Sequence, residues 1–229
     1  MVKKMGIGRS NTQAQTKSKK RIADYGEVFT ADREVQDMLN LVMNETERID
    51  SRFLEPACGT GNFLVDILKR KLHIVVDRFS ANQSEFERNC IIALSSIYGI
   101  ELQYDNVIEC RNRLYGIFEN EYLLQFKNGC SEDCKKSAMY ILEKNIICGD
   151  ALSLRTTDIS RKPIIFSEWS AVNGSLLKRR DFTLIELLDF APSNKNEFSL
   201  FSDLNEEVFI PSPIREFPLK HFLRISEYD

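Results

Sequence analysis

A chain of 229 residues, 43% of them apolar, is long enough for one α/β domain with an appendage and for a real hydrophobic core. No run of about 18 apolar residues occurs, so no membrane span is expected. The basic, polar N-terminus has no apolar stretch behind it, so we expect no signal peptide and a cytoplasmic protein.

The net charge of −3 is unevenly spread. Residues 1–21 carry Lys3, Lys4, Arg9, Lys17, Lys19, Lys20 and Arg21 without a single acid, so the rest of the chain is acidic. Such an arm suits phosphate contact, with Lys17, Lys19, Lys20 and Arg21 as candidate ligands. The favoured reading of the free arm is a solvated, flexible leader, because Ser, Thr, Gln and Asn fill the gaps between the cations.

A helix is predicted from about Asp32, where Val35, Met38, Leu39 and Val42 recur at helical spacing. A short apolar strand follows at Arg52–Leu54. It runs into Glu55-Pro-Ala-Cys-Gly-Thr-Gly-Asn-Phe63 and then a helix from Leu64 to about Val76. Asn82–Ser96 reads as a further helix with Phe86, Cys90, Ile91 and Leu94 on one side. A second strand at Ile97–Leu102 leads to a helix over Tyr104–Phe118, and a helix over Glu132–Glu143 leads to a third strand at Asn145–Cys148. Strands alternating with helices in this way mark a mostly parallel sheet with helices on both faces. Beyond residue 152 the pattern weakens. Pro163–Phe166 reads as a fourth strand and Arg180–Phe190 as a short helix. An extended tail is expected to pack along the body through Phe198, Phe201, Phe209, Phe217 and Phe222. These boundaries divide the chain into an arm (1–21), a ligand-binding domain (22–155) and a C-terminal extension (156–229).

Six cysteines, at 58, 90, 110, 130, 134 and 148, are read as free thiols in the absence of a secretory context. Cys130 and Cys134 could open a metal site, but Cys90, Cys110, His73 and His221 do not complete it at a familiar spacing, and no metal is expected.

Three strand ends carry groups suited to a ligand. Gly59 and Gly61 lie one residue apart between a strand and a helix, where a tight turn brings backbone close to a bound molecule. A third glycine two to three residues on would suggest a dinucleotide; Phe63 and Leu64 stand there instead. Glu101, at the end of the second strand, is placed to accept from ribose hydroxyls, or is a solvated strand-end acid. Asp150, at the end of the third, could accept from an adenine amino group or cap a turn. All three fall on one edge of the sheet, where open α/β sheets bind ligands.

The wording of these segments resembles the adenine-specific (N6) DNA methyltransferases of bacterial restriction-modification systems. Phe53-Leu-Glu-Pro-Ala-Cys-Gly-Thr-Gly-Asn-Phe63 is similar to that family's cofactor loop, and Gly26-Glu-Val-Phe-Thr30 to the segment before it, which lies against the methionine part of the cofactor. The resemblance covers roughly residues 20–155. It implies a Rossmann-like S-adenosylmethionine-dependent methyltransferase fold. It implies a cofactor site made by Phe29, Thr30, Glu55, Pro56, Ala57, Cys58, Gly59, Gly61, Asn62 and Phe63, by Glu101 with Leu102, and by Asp150 with Ala151. Double-stranded DNA with an adenine target is the implied substrate.

The resemblance then breaks. The family continues to a strand ending in Asn/Asp/Ser-Pro-Pro-aromatic, which holds the target amino group and stacks on the flipped base. This sequence contains no Pro-Pro. By position its nearest substitute is Ile164-Ile-Phe-Ser-Glu-Trp169, with Ser167 and Trp169 as candidates, although Glu168 would put a negative charge there and Trp169 reads rather as a packing residue. Phe166-Ser-Glu-Trp169, Lys178-Arg-Arg-Asp-Phe182 and Pro211-Ser-Pro-Ile-Arg-Glu-Phe-Pro218 resemble the endings of short methylase-like proteins of bacterial mobile elements. The cluster Lys178, Arg179 and Arg180 suits phosphate contact or a solvated loop. A target-recognition domain is not expected within these 229 residues, so the reading expects a specificity or restriction partner subunit. Two functions stay open: a DNA adenine methyltransferase or its methylating module, and a catalytically inactive cofactor-binding accessory subunit. Methylation of RNA or protein fits the motif wording less well.

Overall fold

The computed structural model describes Arg21, Ala23 and residues 30–188, 200–201, 207–208 and 211–228. The arm residues Lys17, Lys19 and Lys20, the segment 26–29 with Phe29, the residues Phe198 and Phe209, and the side chain of Phe201 lie outside them.

Helix α1 (Asp32–Leu41) buries Val35 and Leu39, and the one-turn α2 (Met43–Thr46) follows it. Strand β1 (Phe53–Glu55) turns through the glycine loop into α3 (Asn62–Phe79). Helix α4 (Gln83–Ser95) starts at Asn82, whose side chain accepts from the Glu85 N–H. After β2 (Ile97–Glu101) comes α5 (Tyr104–Phe126), two turns longer than its apolar spacing predicts, because Phe118, Tyr122 and Phe126 build an aromatic stack with Phe86 of α4. Helix α6 (Glu132–Asn145) is capped by Ser131 and feeds β3 (Ile146–Asp150). Strands β1, β2 and β3 pair in parallel and in chain order, and β4 (Arg155–Thr156) adds antiparallel to β3.

The pleat sorts the two faces of this sheet. Phe53, Ile97 and Ile146 pack with α3, α4, α5 and α6 in the main core. Tyr98 and Ile100 point the other way, into a small second core with Ile164, Phe166 and Leu184. The expectation of helices on both faces is met unequally. Four helices cover one face, and the other is covered by the start of a hairpin and a five-residue helix.

That hairpin corrects two expectations. Pro163 makes only an isolated bridge to Arg155, and the strand after it, β5, runs over Ile165–Val172. Arg180 does not start a helix. It lies within β6 (Leu176–Thr183), and only Leu184–Leu188 is helical (α7). The strands β5 and β6 pair antiparallel around Gly174. After the short antiparallel pair β7 (Leu200–Phe201) and β8 (Glu207–Val208), β9 (Arg215–Glu216) and β10 (Lys220–His221) both pair with β6. A closing 3₁₀ helix (Phe222–Glu227) follows. Phe217 and Phe222 are buried in the main core, as the tail reading anticipated for these two.

Polar groups lock this layer down. Buried Asn145 donates to the carbonyls of Ser95 and Ile97 and accepts from Trp169 Nε1 at 3.0 Å. Buried Arg179 donates to both carboxylate oxygens of Asp181 at 2.9 Å and to the hydroxyls of Ser167 and Tyr140, with its guanidinium 4.1 Å from the Phe217 ring centre. The Arg179→Met variant leaves the Asp181 carboxylate buried without its cation. It should lose about 3 kcal/mol of stability in urea unfolding; a loss under about 1 kcal/mol would show that the pair is not a fastener.

Glu168 joins Arg52, just before β1, to Arg180 of β6. Burial alone would raise its carboxyl, but hydrogen bonds from Ser170 and Arg180 outweigh that and hold it below the usual range. A folded-state value below the unfolded one gives stability that is complete above the unfolded value of about 4.3 and is lost as pH falls further. Both arginines are partly exposed, so the Glu168→Gln variant should lose only about 1 kcal/mol at pH 7. The gap to the wild type should close as pH falls below about 4; a gap constant with pH would exclude an ionic origin.

Candidate functional site

A cleft of about 530 Å³ opens at the carboxyl ends of β1, β2 and β3. That size lies in the range of small-molecule sites. Of the residues singled out in the sequence, it brings together Thr30, Glu55, Pro56, Ala57, Cys58, Gly59, Asn62, Phe63, Glu101, Leu102, Asp150 and Ala151. Thr60, Gln103, Gly149 and Leu152 complete the lining.

The glycine loop has its shape for local reasons. The Cys58 N–H donates to the Ile100 carbonyl at 2.9 Å, which ties the loop to β2, and the Gly61 N–H turns back to the Cys58 carbonyl at 2.7 Å. Gly59 and Gly61 have φ of 53° and 88°, in the left-handed region. Gly61 does not line the cleft; it starts α3, and a Cβ there would stand 2.5 Å from the Cys110 sulfur. The Cys58 thiol sits against Cys110, and this contact together with burial pushes its pKa far up, so it is a packing group and not a nucleophile.

Glu101 anchors the loop from the next strand. Its Oε2 accepts from the Gly59 N–H at 3.0 Å, and its Oε1 accepts from the Gln103 N–H at 2.9 Å and from Asn106 Nδ2 at 3.3 Å. A carboxylate offers about four acceptor positions. These contacts orient the group and leave Oε2 able to accept from a ligand hydroxyl. Asp150 Oδ1 accepts from the Leu152 N–H at 2.9 Å, which fixes the turn at the end of β3. Two carboxylates on neighbouring strands thus face one cleft whose walls include Pro56, Ala57, Phe63, Leu102, Ala151 and Leu152. The arrangement suits a ligand with hydroxyl and amino donors on an apolar frame.

Arg113 escaped the sequence reading. Its Nη1 donates to the Thr60 carbonyl at 2.7 Å, to Thr60 Oγ1 at 3.0 Å and to Asn62 Oδ1 at 2.8 Å. Asn62 in turn donates to the Thr30 carbonyl at 3.1 Å. A signal was present: Asn106, Cys110 and Arg113 fall at i, i+4 and i+7 of α5, one face of one helix.

Other candidates lie apart from the cleft. Ser167 is 2% and Trp169 6% exposed. Ser167 is bonded to Asp181 and Arg179, and Trp169 is bonded to Asn145 and packed in the main core. Neither lines the cleft, and a buried indole with its N–H engaged has no face to offer a base. The cluster Lys178, Arg179 and Arg180 is likewise committed to carboxylates. Lys178 meets Glu216 at 2.8 Å, Arg179 is buried on Asp181, and Arg180 meets Glu168 at 2.9 Å. The pairing of β6 with β5 and β9 brings Glu168 and Glu216 alongside, and Asp181 stands on β6 itself. Arg21, the one described residue of the candidate arm ligands, makes a two-pronged contact with Asp105 in the first turn of α5. All six cysteines are free. Among the described residues no three metal-ligating side chains converge, and no helix is long and apolar enough to cross a membrane.

The Arg113→Ala variant removes the donor shared by Thr60 and Asn62. Amide hydrogen exchange at residues 59–62 should speed up, with a loss of about 1–2 kcal/mol in stability; unchanged exchange there would mean the loop holds its shape without Arg113.

Comparison with curated proteins and with solved structures finds no match. Residues 29–165 match the family model described as MmeI, DNA-methyltransferase domain. The matched span takes in Thr30, the glycine loop, Glu101 and Asp150, so it contains every cleft-lining residue named above. It covers more than half of the chain, which therefore belongs to the MmeI DNA-methyltransferase domain family.

Proposed function

We propose that the chain binds S-adenosylmethionine in this cleft and serves as the methylating module of an adenine-N6 DNA methyltransferase of the restriction-modification type. In this reading it acts with a partner subunit that supplies target recognition and the group that holds the base. One observation carries the reading: Glu101 and Asp150 end adjacent parallel strands and face a single cleft closed by the glycine loop. By donor chemistry the cleft suits the cofactor. Glu101 would accept from the ribose hydroxyls and Asp150 from the adenine amino group. Leu102, Ala151 and Leu152 would give the purine an apolar seat, and the glycine loop with Thr30 and Phe63 would hold the methionine part. The bound cofactor supplies an electrophilic methyl group. The protein residues named here bind and orient it, and none of them is assigned to the transfer itself.

A second reading, a cofactor-binding accessory subunit without methyl transfer, is favoured by one fact. The chain has no Pro-Pro dipeptide, and its positional substitute, Ser167 and Trp169, is built into the core.

Calorimetric titration of S-adenosylmethionine into the full chain tests the cofactor assignment. The Glu101→Ala and Asp150→Ala variants should each weaken binding by about 1–3 kcal/mol, the worth of the hydrogen bonds removed. Equal affinity in all three proteins would refute the site. Transfer of radiolabelled methyl to duplex DNA by the isolated chain would exclude the accessory reading; binding without transfer would favour it.

A further inference from the structure

The cations singled out at β6 are taken up by carboxylates, but a second set is not. Arg155, Arg161 and Lys162 are all exposed, and among the described residues none of the three makes an ion pair. They sit on the loop that leaves the cleft wall at Asp150–Leu152 and returns to the sheet at Ile164. Ile159, at the loop tip, is fully exposed, so the loop stands out from the body.

The loop is nevertheless built. Asp158, its single acid, accepts from Thr156 Oγ1 at 2.9 Å, Ser160 Oγ at 2.6 Å and the Arg161 N–H at 3.1 Å. Thr156 also exchanges bonds with Lys162, accepting its N–H at 3.1 Å and donating its own to the Lys162 carbonyl at 2.8 Å. The Arg155 guanidinium spans the loop to the Arg161 carbonyl at 2.9 Å. Asp158 Oδ1 is thereby engaged within the loop, and the three cations with this one carboxylate leave a net positive charge on a hydrogen-bonded loop beside the cleft.

We propose that this loop is a contact site for the sugar-phosphate backbone of duplex DNA, with Arg155, Arg161 and Lys162 as phosphate ligands. The inference rests on the DNA-methyltransferase reading for its partner. Charge complementarity carries the rest: Arg155, Arg161 and Lys162 make no ion pair among the described residues, so they meet phosphate oxygens without first breaking one. The acidic body would repel a polyanion elsewhere, so a local cluster also fixes where DNA approaches.

Fluorescence anisotropy of the full chain with a labelled mixed-sequence duplex tests this over about 50–200 mM salt. The double variant Arg161→Asn/Lys162→Gln leaves Arg155 to hold the loop, and Asn accepts the left-handed backbone of residue 161, where φ is 41°. The plot of log affinity against log salt should become shallower by about 1.8, roughly 0.9 for each phosphate that the variant no longer neutralises. The thermal midpoint should match the wild type and S-adenosylmethionine binding should be retained, which excludes misfolding; the charge of Arg161 acts on Asp150, so the cofactor affinity itself is not held fixed. Parallel slopes for the two proteins would overturn the proposal, as would a wild-type chain that binds the cofactor but no duplex. A wild-type chain that binds duplex through this loop but no cofactor would instead sink the proposed function and leave the loop assignment standing.

Discussion

Three parallel strands laid side by side in chain order constrain everything else in this fold. Parallel neighbours cannot be joined by a tight turn, so each step from β1 to β2 to β3 needs a long crossover. Crossovers are right-handed, and successive steps in one direction stack their helices on the same face. That is why α3 and α4, then α5 and α6, share one core with Phe53, Ile97 and Ile146. The opposite face carries Tyr98 and Ile100, which a parallel sheet cannot leave in water. The C-terminal layer meets that need: Ile164, Phe166 and Leu184 cover those two residues, while Trp169, Leu177, Phe217 and Phe222 continue the main core beyond the sheet. The same constraint aligns the three strand ends and places the glycine loop, Glu101 and Asp150 around one cleft.

The cleft is held open by the protein's own bonds. Arg113, Asn62 and Glu101 each satisfy loop groups from a different element: α5, the start of α3 and the end of β2. The loop therefore does not have to be ordered by a ligand, and a ligand entering it is spared that entropy. Cys58 and Cys110 fill the space beneath it, and the missing side chain of Gly61 lets α5 come this close. These contacts explain why a loop with two glycines one residue apart, flexible in isolation, has a single shape here.

Much of this was legible in the sequence up to Asp150. Strand and helix periods are local there, and strand-end acids announce themselves by position. For Arg113 the helical spacing with Asn106 and Cys110 marks the face but not the partners, because Thr60 and Asn62 are about fifty residues away and only the packing of α5 brings them together. The region after Asp150 was misread for a different reason. In β6 the inward positions are Leu177, Arg179 and Asp181, so a buried ion pair occupies sites where apolar residues would have marked a strand. Charged residues at inward positions erased the period-two signal, and Lys178-Arg179-Arg180 looked like a surface cluster. Trp169 was ambiguous because only the Asn145 contact, twenty-four residues away, decides between packing and stacking.

The location of charge matters more here than its amount. Read as a string, Lys178, Arg179 and Arg180 form the denser cluster, whereas Arg155, Arg161 and Lys162 are spread over eight residues. In the fold the order reverses. The antiparallel pairing of β6 with β5 and β9 brings Glu168 and Glu216 against the first group, and Asp181 neutralises Arg179 from within the same strand. A phosphate approaching them would have to displace a carboxylate, and for Arg179 would have to enter the core. The second group has one acid within its span, whose Oδ1 accepts from two hydroxyls and a backbone N–H and which forms no ion pair with the three cations, so the group keeps a net positive charge. Counterion release depends on cations that can reach phosphate, so the sparse, exposed group is the better electrostatic partner for a nucleic acid. Its place at the cleft wall puts that attraction beside the atoms that would hold the cofactor.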